Sequence, residues 1–456
     1  MKRMTFRHII LILILFFSVG KVYGYNVVYT NINGEPVKWD NSQTIRYYVD
    51  LQPFNPEVIS QEQWLTLLQE AMKLWESVPS AKVPHFEFAG FLPENVTKDN
   101  YEKYTDFKKC YTERWEYCER PDLREDLTTL IIIDDGNWLL DHLLTIGGAS
   151  AEAGFLTLEE SSFLEVTKVL QGYIVFGHSP AFDTGGGVAW FAHEIGHLLG
   201  LGHTTLNEQL IYTDPLSLGI DWKLYSPTMQ TDWASSYLFS YGATLNPDDV
   251  AGISMLYPSD TFHSETAKIK GTVKKADGSP MPQVNVVARD ISDSLCKVYS
   301  FLTSRYCPHP LTSLSWTCLE PNGDYVIEGL PLGNYTLEVE EIIDEPYSLG
   351  VLYPEIAGDS EFWNEGDQAS EDQYKYTVIS LAAGETRENV DIILNRSEVT
   401  EDRVKFIPLD VLLANFPLPA TTACTDTTID YAGLIGKDEG GDENPTSAGC
   451  SLIIRK

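Results

Sequence analysis

Between positions 193 and 203 the chain reads His193-Glu194-Ile195-Gly196-His197-Leu198-Leu199-Gly200-Leu201-Gly202-His203, which gathers three imidazoles and one carboxylate in a short stretch. On a helix, His193 and His197 lie four residues apart and project from one face, close enough to act as two nitrogen ligands of one metal ion. Glu194, beside the first ligand, can take a proton from a water polarised by that ion and return it to a leaving amine. The helix must then stop so that the chain can turn back with a third ligand. Gly200 suits that stop because glycine tolerates the left-handed conformation of a helix C-terminus, and His203 follows. Three protein ligands leave a fourth position open, the arrangement of a catalytic rather than a structural zinc. The chemistry expected is zinc-assisted hydrolysis, with zinc on His193, His197 and His203 and Glu194 as general base and then acid.

The residues between the ligands agree with this. Ile195, Leu198, Leu199 and Leu201 can face a core while the imidazoles face a cleft, and Val188-Ala189-Trp190-Phe191-Ala192 carries the helix through a buried region. The full H-E-x-x-H-x-x-G-x-x-H pattern resembles the signature of the metzincin metallopeptidases. The likeness continues downstream. Ser226-Pro227-Thr228-Met229 stands where that clan has a methionine turn, which implies that Met229 is a soft apolar floor under the imidazoles and not a ligand. Residues 245–257 resemble the closing helix of the matrixin branch. There Asn246 can cap, Pro247 suits the first helical position, and Asp248 and Asp249 favour the positive end of the dipole. Thr204 departs from the serine usual in matrixins, and Gln230-Thr231 replace a common tyrosine and proline. With threonine two residues after Met229, the tyrosine ligand of the astacin branch is not expected.

This resemblance implies an α+β metzincin-type catalytic domain: a twisted mixed sheet of about five strands, an active-site helix and a C-terminal helix. It also implies that residues 153–158 form the edge strand on which an extended peptide lies antiparallel. The loop 204–226 would shape the pocket beyond the scissile bond. Leu210, Tyr212, Leu216, Leu218 and Trp222 in that loop either line the pocket or pack as core.

The elements needed to carry the site can be read along residues 25–260. Residues 44–49 read as a strand. A helix follows over 61–78, with Trp64, Leu67, Leu68, Ala71 and Trp75 at helical spacing, and then a strand over 85–88. Residues 92–128 are polar and read as an insertion or long loop before the strand 130–133. Strands at 154–158 and 172–176 complete the set, and Gly185-Gly186-Gly187 loosens the chain ahead of the ligand helix.

Composition bounds the setting. The chain has 456 residues, 66 acidic against 32 basic, for a net charge of −34. Such a surface repels nucleic acid and anionic membranes. Lys2, Arg3 and Arg7 precede an apolar run over 9–17, and Val22-Tyr23-Gly24 offers small residues at a cleavage site. Residues 1–24 therefore read as a secretory signal peptide, cleaved after Gly24, and the mature protein as extracellular. An uncleaved anchor is the competing reading, disfavoured because the run is short for a membrane span. No later stretch is apolar enough for one. Seven cysteines in a secreted chain suggest disulfides with one thiol left over, Cys110 and Cys118 being the first local pair to consider. Carboxylates are numerous enough to bind calcium, but no D-x-D-x-D-G loop locates a site. There is no room for a large propeptide, and Cys118-Glu119-Arg120-Pro121 lacks the order of the matrixin thiol switch.

Past Tyr257-Pro258 the pattern turns to β. Residues 267–273, the Asp277-Gly278 turn, 284–287 and 325–337 resemble a carboxypeptidase regulatory-like β-sandwich spanning 265–397, with 291–320 and 345–375 as insertions. Such a module is expected to act as a spacer, or to dock to a surface or substrate. Residues 398–456, rich in Thr, Asp and Gly, read as a poorly ordered tail. His85, His142, His178, His263 and His309 have no ligand spacing.

The function expected is a secreted zinc-dependent endopeptidase acting on protein or peptide substrates outside the cell. The alternative is an inactive adhesin or binding protein that retains a metzincin fold. Glu194 argues against it, because a structural metal needs only the ligands. A thermolysin-like enzyme with a downstream glutamate ligand is disfavoured by Gly200 and His203.

Overall fold

The computed structural model describes residues 26–28, 35–51, 60–104, 128–134, 138–142, 151–158, 168–177, 187–212, 220, 225–230, 245–303, 322–343, 356–370, 372–396 and 399–417. Residues 1–24, which were expected to be a signal peptide, and Gly185, Gly186, Cys110 and Cys118 lie outside these residues. Within them, no helix is long and apolar enough to cross a membrane.

Strands β1 (Ile45–Val49), β2 (Phe86–Phe91), β3 (Thr128–Asp134), β4 (Ala151–Leu158) and β5 (Val169–Gly177) form one mixed sheet in the order β2-β1-β3-β5-β4. β1, β2, β3 and β5 run parallel, and β4 closes the edge antiparallel to β5. Parallel strands need cover on both faces. Accordingly Leu130, Ile131, Ile132 and Ile133 are all buried, although they alternate between faces.

Helix α1 (Gln61–Glu76) begins in a reciprocal capping box: the Gln63 amide N–H donates to Ser60 Oγ at 3.2 Å and the Ser60 N–H to Gln63 Oε1 at 3.0 Å. Its apolar face carries Trp64, Leu67, Leu68, Ala71 and Trp75, as the spacing predicts. Helix α2 (Gly187–Leu199) has almost no polar face, and an all-round apolar helix must be enclosed. It shares one core with α1 and the sheet, and Trp75 Nε1 donates across to Ala192 O at 2.8 Å.

The opposite face of the sheet is covered by part of the stretch expected to be an insertion. Leu92, Val96 and Tyr104 pack with Leu130, Ile132, Tyr173 and Val175 in a second small core. Buried Asp50 anchors this layer by accepting the Val96 amide at 3.2 Å. The polar composition of 92–128 conceals these few apolar positions, which only the sheet makes adjacent.

Helix α3 (Pro247–Leu256) closes the first unit and faces a second one. There, β6 (Ala267–Lys274), β7 (Asn285–Asp290), β8 (Val298–Leu302), β9 (Asp324–Leu330), β10 (Gly333–Glu340), β11 (Glu361–Phe362), β12 (Ile379–Leu381), β13 (Thr386–Arg387) and β14 (Ile392–Ile393) make two sheets. One runs β11-β10-β7-β8 with β12 on β10; the other runs β13-β6-β14 with β9 on β6. Ile269, Val286, Tyr325, Leu337 and Ile392 fill the core between them.

Three boundaries differ from the expected ones. β8 lies inside the expected insertion 291–320 and pairs with β7, burying Val298, Tyr299 and Phe301. Within 345–375, Ile356 and Trp363 belong to the sandwich core and β11 pairs with β10. In the expected tail, residues 399–417 are built in: Arg403 pairs with Glu341 at 2.7 Å, and helix α4 (Leu409–Asn415) buries Leu409 and Leu412. Composition averaged over these stretches hides apolar residues whose partners are remote in the chain.

Nor is the sandwich tethered at a distance. Ala251 of α3 joins the sandwich core, and Gly329, at φ +83°, lets the β9 end approach Ala251 and Phe262 closely. The spacer expectation therefore does not describe the geometry.

Candidate metal centre

Helix α2 brings His193 and His197 to one face with ring centroids 4.7 Å apart. The helix ends where the sequence places its stop: Gly200 has φ +105°, and its N–H returns to His197 O at 2.9 Å while that of Leu201 returns to Gly196 O at 2.9 Å. The reversed chain then carries His203 back over the helix. Its Nε2 lies 3.2 Å from His193 Nε2 and 3.1 Å from His197 Nε2. The three side chains are at most 2% exposed.

The tautomers follow from the partners. His193 Nδ1 meets Thr228 O at 2.6 Å and His197 Nδ1 meets Leu201 O at 2.8 Å. A carbonyl oxygen only accepts, so both Nδ1 atoms donate, and both Nε2 atoms carry a bare lone pair directed at His203. His203 has at most one proton to place between them while neutral. The cluster thus concentrates lone pairs that a cation would satisfy. Separations of 3.1 and 3.2 Å approach the edge, roughly 3.3 Å, of a tetrahedron with metal–nitrogen bonds of about 2.0–2.1 Å. These three histidines can hold a metal ion.

Burial also keeps the imidazoles neutral. In the metal-free chain desolvation lowers His193 to about 4 and His197 to about 3, with the neighbouring His193 adding to the latter, and it takes His203 well below the usual histidine range. Neutral rings with fixed Nδ1–H donors are the ligand state, and the carbonyls that hold those donors orient the rings.

The second layer is long-range. Thr228 O, the acceptor for His193, belongs to a turn held by Asp249 of α3, whose carboxylate accepts the N–H groups of Thr228 at 2.8 Å, Met229 at 3.1 Å and Asn246 at 2.9 Å. Burial outweighs the pull of these backbone donors and raises Asp249 to about 6, so that it is still mostly ionised at neutral pH. Met229 is fully buried under α2, and its carbonyl accepts the Thr204 N–H at 2.8 Å. The carbonyls at the end of α2 are met from three remote segments. Leu198 O accepts Trp39 Nε1 at 2.7 Å, Leu199 O accepts Tyr257 Oη at 2.7 Å, and Gly200 O accepts the Val28 N–H at 2.9 Å. Asn26 adds Nδ2 to His203 O at 2.8 Å.

The three expected ligands therefore meet at one place, and Met229 lies against Gly196 of the helix that bears two of them. Glu194 is fully buried on α2 beside His193. The turn-holding role of Asp249 was not anticipated, although Asn246-x-x-Asp249 has capping-box spacing that signals it. Nothing local signals Asn26, Trp39 or Tyr257. Of the loop residues considered for pocket lining, Leu210 is core, packed with Ile220, Tyr225 and the second domain; the other side chains lie outside the described residues. His85 and His263 are exposed and pair with Glu76 at 3.2 Å and Glu328 at 3.0 Å.

No family model matches the chain. No curated protein matches it either. Among solved structures it is similar to a protein from Pseudomonas aeruginosa proposed to bind carbohydrate, at 10% identity and a TM-score of 0.13, covering 30% of this chain and 92% of that one. A likeness that weak carries no argument about fold or function.

Proposed function

We propose that the protein is a secreted zinc-dependent endopeptidase of the metzincin type, matrixin-like, with a carboxypeptidase regulatory-like β-sandwich behind its catalytic domain. The observation that carries this reading is the convergence of His193, His197 and His203 at their Nε2 atoms, on the helix that also bears Glu194. Three neutral imidazoles suit zinc, a borderline-soft ion, better than calcium or magnesium, which prefer oxygen. Bound there, zinc supplies Lewis-acid polarisation of a scissile carbonyl and makes a water acidic enough to attack it at neutral pH.

The chain supplies the rest. Glu194 takes the proton of the attacking water on its carboxylate and passes it to the leaving amine nitrogen. Thr228 O and Leu201 O hold His193 and His197 through their Nδ1–H groups, so that the Nε2 lone pairs stay aimed while charge develops. Strand β4, at the edge of the sheet among the described residues, would let an extended peptide add alongside it, which gives grip independent of substrate side chains.

The test is Glu194→Ala in the mature protein, assayed for metal content and for cleavage of a peptide library. About one zinc per chain is expected in both forms, as an open three-histidine site implies, with hydrolysis in the wild type alone. Hydrolysis that survives the substitution would remove Glu194 from the mechanism. A wild type that binds zinc and cleaves nothing would favour an inactive adhesin or binding protein.

A further inference from the structure

The loop that follows the third ligand is unusual: Thr204, Thr205, Asn207, Glu208 and Gln209 are polar, yet none is more than 4% exposed. Polar groups withdrawn from water need partners. Much of what this loop bonds to belongs to the second domain. Thr204 Oγ1 lies 3.0 Å from Ser300 Oγ of β8, and both hydroxyls converge on Asp248 of α3, at 2.9 Å from Thr204 and 3.2 Å from Ser300, while the Ser300 N–H donates to the same carboxylate at 2.8 Å. Asn207, held at φ +60°, accepts Arg289 Nη1 of β7 on its Oδ1 at 2.8 Å and donates Nδ2 to Leu295 O at 3.1 Å. Glu208 Oε2 accepts the Ile343 N–H at 2.9 Å. Between these bonds, Leu206 packs on Val287 and Val298.

Arg289 makes this seam rigid. Its guanidinium is wholly buried and spends its donors on Glu338 at 2.6 Å, Glu340 at 3.3 Å, Ser294 O at 3.0 Å and Asn207. A buried charge tolerates no loss of a partner, so any excursion of Asn207 strands a donor in a dry environment. Farther along the same loop, Leu210, Ile220 and Tyr225 share one apolar cluster with Leu295 and Phe362 of the sandwich and with Leu409, Leu412 and Phe416 of the C-terminal segment.

From this seam we infer that the β-sandwich, with the α4 segment, is an integral brace of the metal centre, and that Arg289 and Ser300 are positioning residues that hold the His203 loop through Asn207 and Thr204. Its consequence for catalysis rests on the endopeptidase reading above; its consequence for loop order and metal affinity does not.

The experiment uses the full mature chain with Asn207→Ala, Ser300→Ala and, as a control, Tyr325→Phe, which removes a buried hydroxyl that bonds Val390 O inside the sandwich and keeps the ring. Amide hydrogen exchange over residues 200–212 is followed in the metal-free proteins. Zinc affinity is measured by competition with a chromophoric chelator, and ligand geometry from the visible spectrum of the cobalt(II) forms. The brace predicts faster exchange in that segment and zinc binding weaker by about tenfold or more for Asn207→Ala and Ser300→Ala, the usual scale for groups that orient metal ligands, with Tyr325→Phe like the wild type. Wild-type exchange and affinity in both seam variants would overturn it, as would an equal loss in Tyr325→Phe, which would assign the effect to general stability. Because hydrogen exchange needs no metal and zinc affinity needs no turnover, a protein that proves inactive still tests the brace. If Asn207→Ala does not fold, Ser300→Ala, which removes one hydroxyl and keeps the backbone bond to Asp248, decides alone.

Discussion

Gly196 and Met229 touch so closely that a β-carbon on the glycine would fall 2.3 Å from the methionine sulfur and 3.0 Å from the Trp75 ring. The position between His197 and Ile195 must therefore be glycine for a packing reason, while Met229 presses on the helix that carries two ligands. Gly196→Ala is expected to cost about 1–3 kcal/mol by overpacking and to weaken metal binding by displacing α2. Adding Met229→Ala should recover part of that loss, because residues in contact are not additive. Thermal unfolding of the single and double variants checks this, and strict additivity would refute the contact.

Tyr257 is the donor for Leu199 O and an acceptor for the Trp39 N–H, at 2.7 and 3.2 Å. Removing its hydroxyl leaves buried backbone groups without that partner. Tyr257→Phe should lower stability by about 1–3 kcal/mol, read from urea unfolding of metal-free protein, with the secondary structure unchanged. A neutral result would mean that water or a neighbour replaces the hydroxyl.

The ligand histidines make the metal-free protein acid-sensitive. Their folded pKa values lie below the ordinary 6.5, at about 4 for His193 and about 3 for His197. The unfolded chain therefore takes up protons first as pH falls, and the stability present above about 6.5 is lost on the way down to about 4. Melting temperature in the presence of a chelator should drop over that window. The His193→Gln variant should show a smaller drop; an identical pH profile would contradict the assignment.

Asp248 has the opposite sign. Burial pushes its carboxyl up to about 7, against the Ser300 amide that holds it down. A group raised on folding contributes fully below its unfolded value near 4 and loses that contribution as pH climbs through about 7, by at most about 1.4 kcal/mol per pH unit. Asp248→Asn should remove this slope, so the variant gains on the wild type between pH 5 and 8. A gap between the two melting curves that stays constant with pH would refute it.

Much of the site is legible in the chain because it is local. A period of 3.6 residues puts His193 and His197 on one face, and glycine alone sits easily at the φ of +105° that Gly200 adopts. α1 is equally legible from its apolar spacing, as is the edge position of β4 from the resemblance. Less legible were β8, the layer over 92–104 and the segment 399–417, where a few apolar residues gain meaning only from distant neighbours.

The sequence by itself determined which groups are gathered as candidates for the site: three imidazoles, a carboxylate and the glycine that turns the third imidazole back, all governed by bonds and torsions within a dozen residues. Only the tertiary structure decided how they are held. Thr228 O, Asp249, Tyr257, Asn26, Ser300 and Arg289 come from separate segments and from two domains. Hydrogen bonds across such separations depend on how sheets and helices stack, which no local spacing encodes.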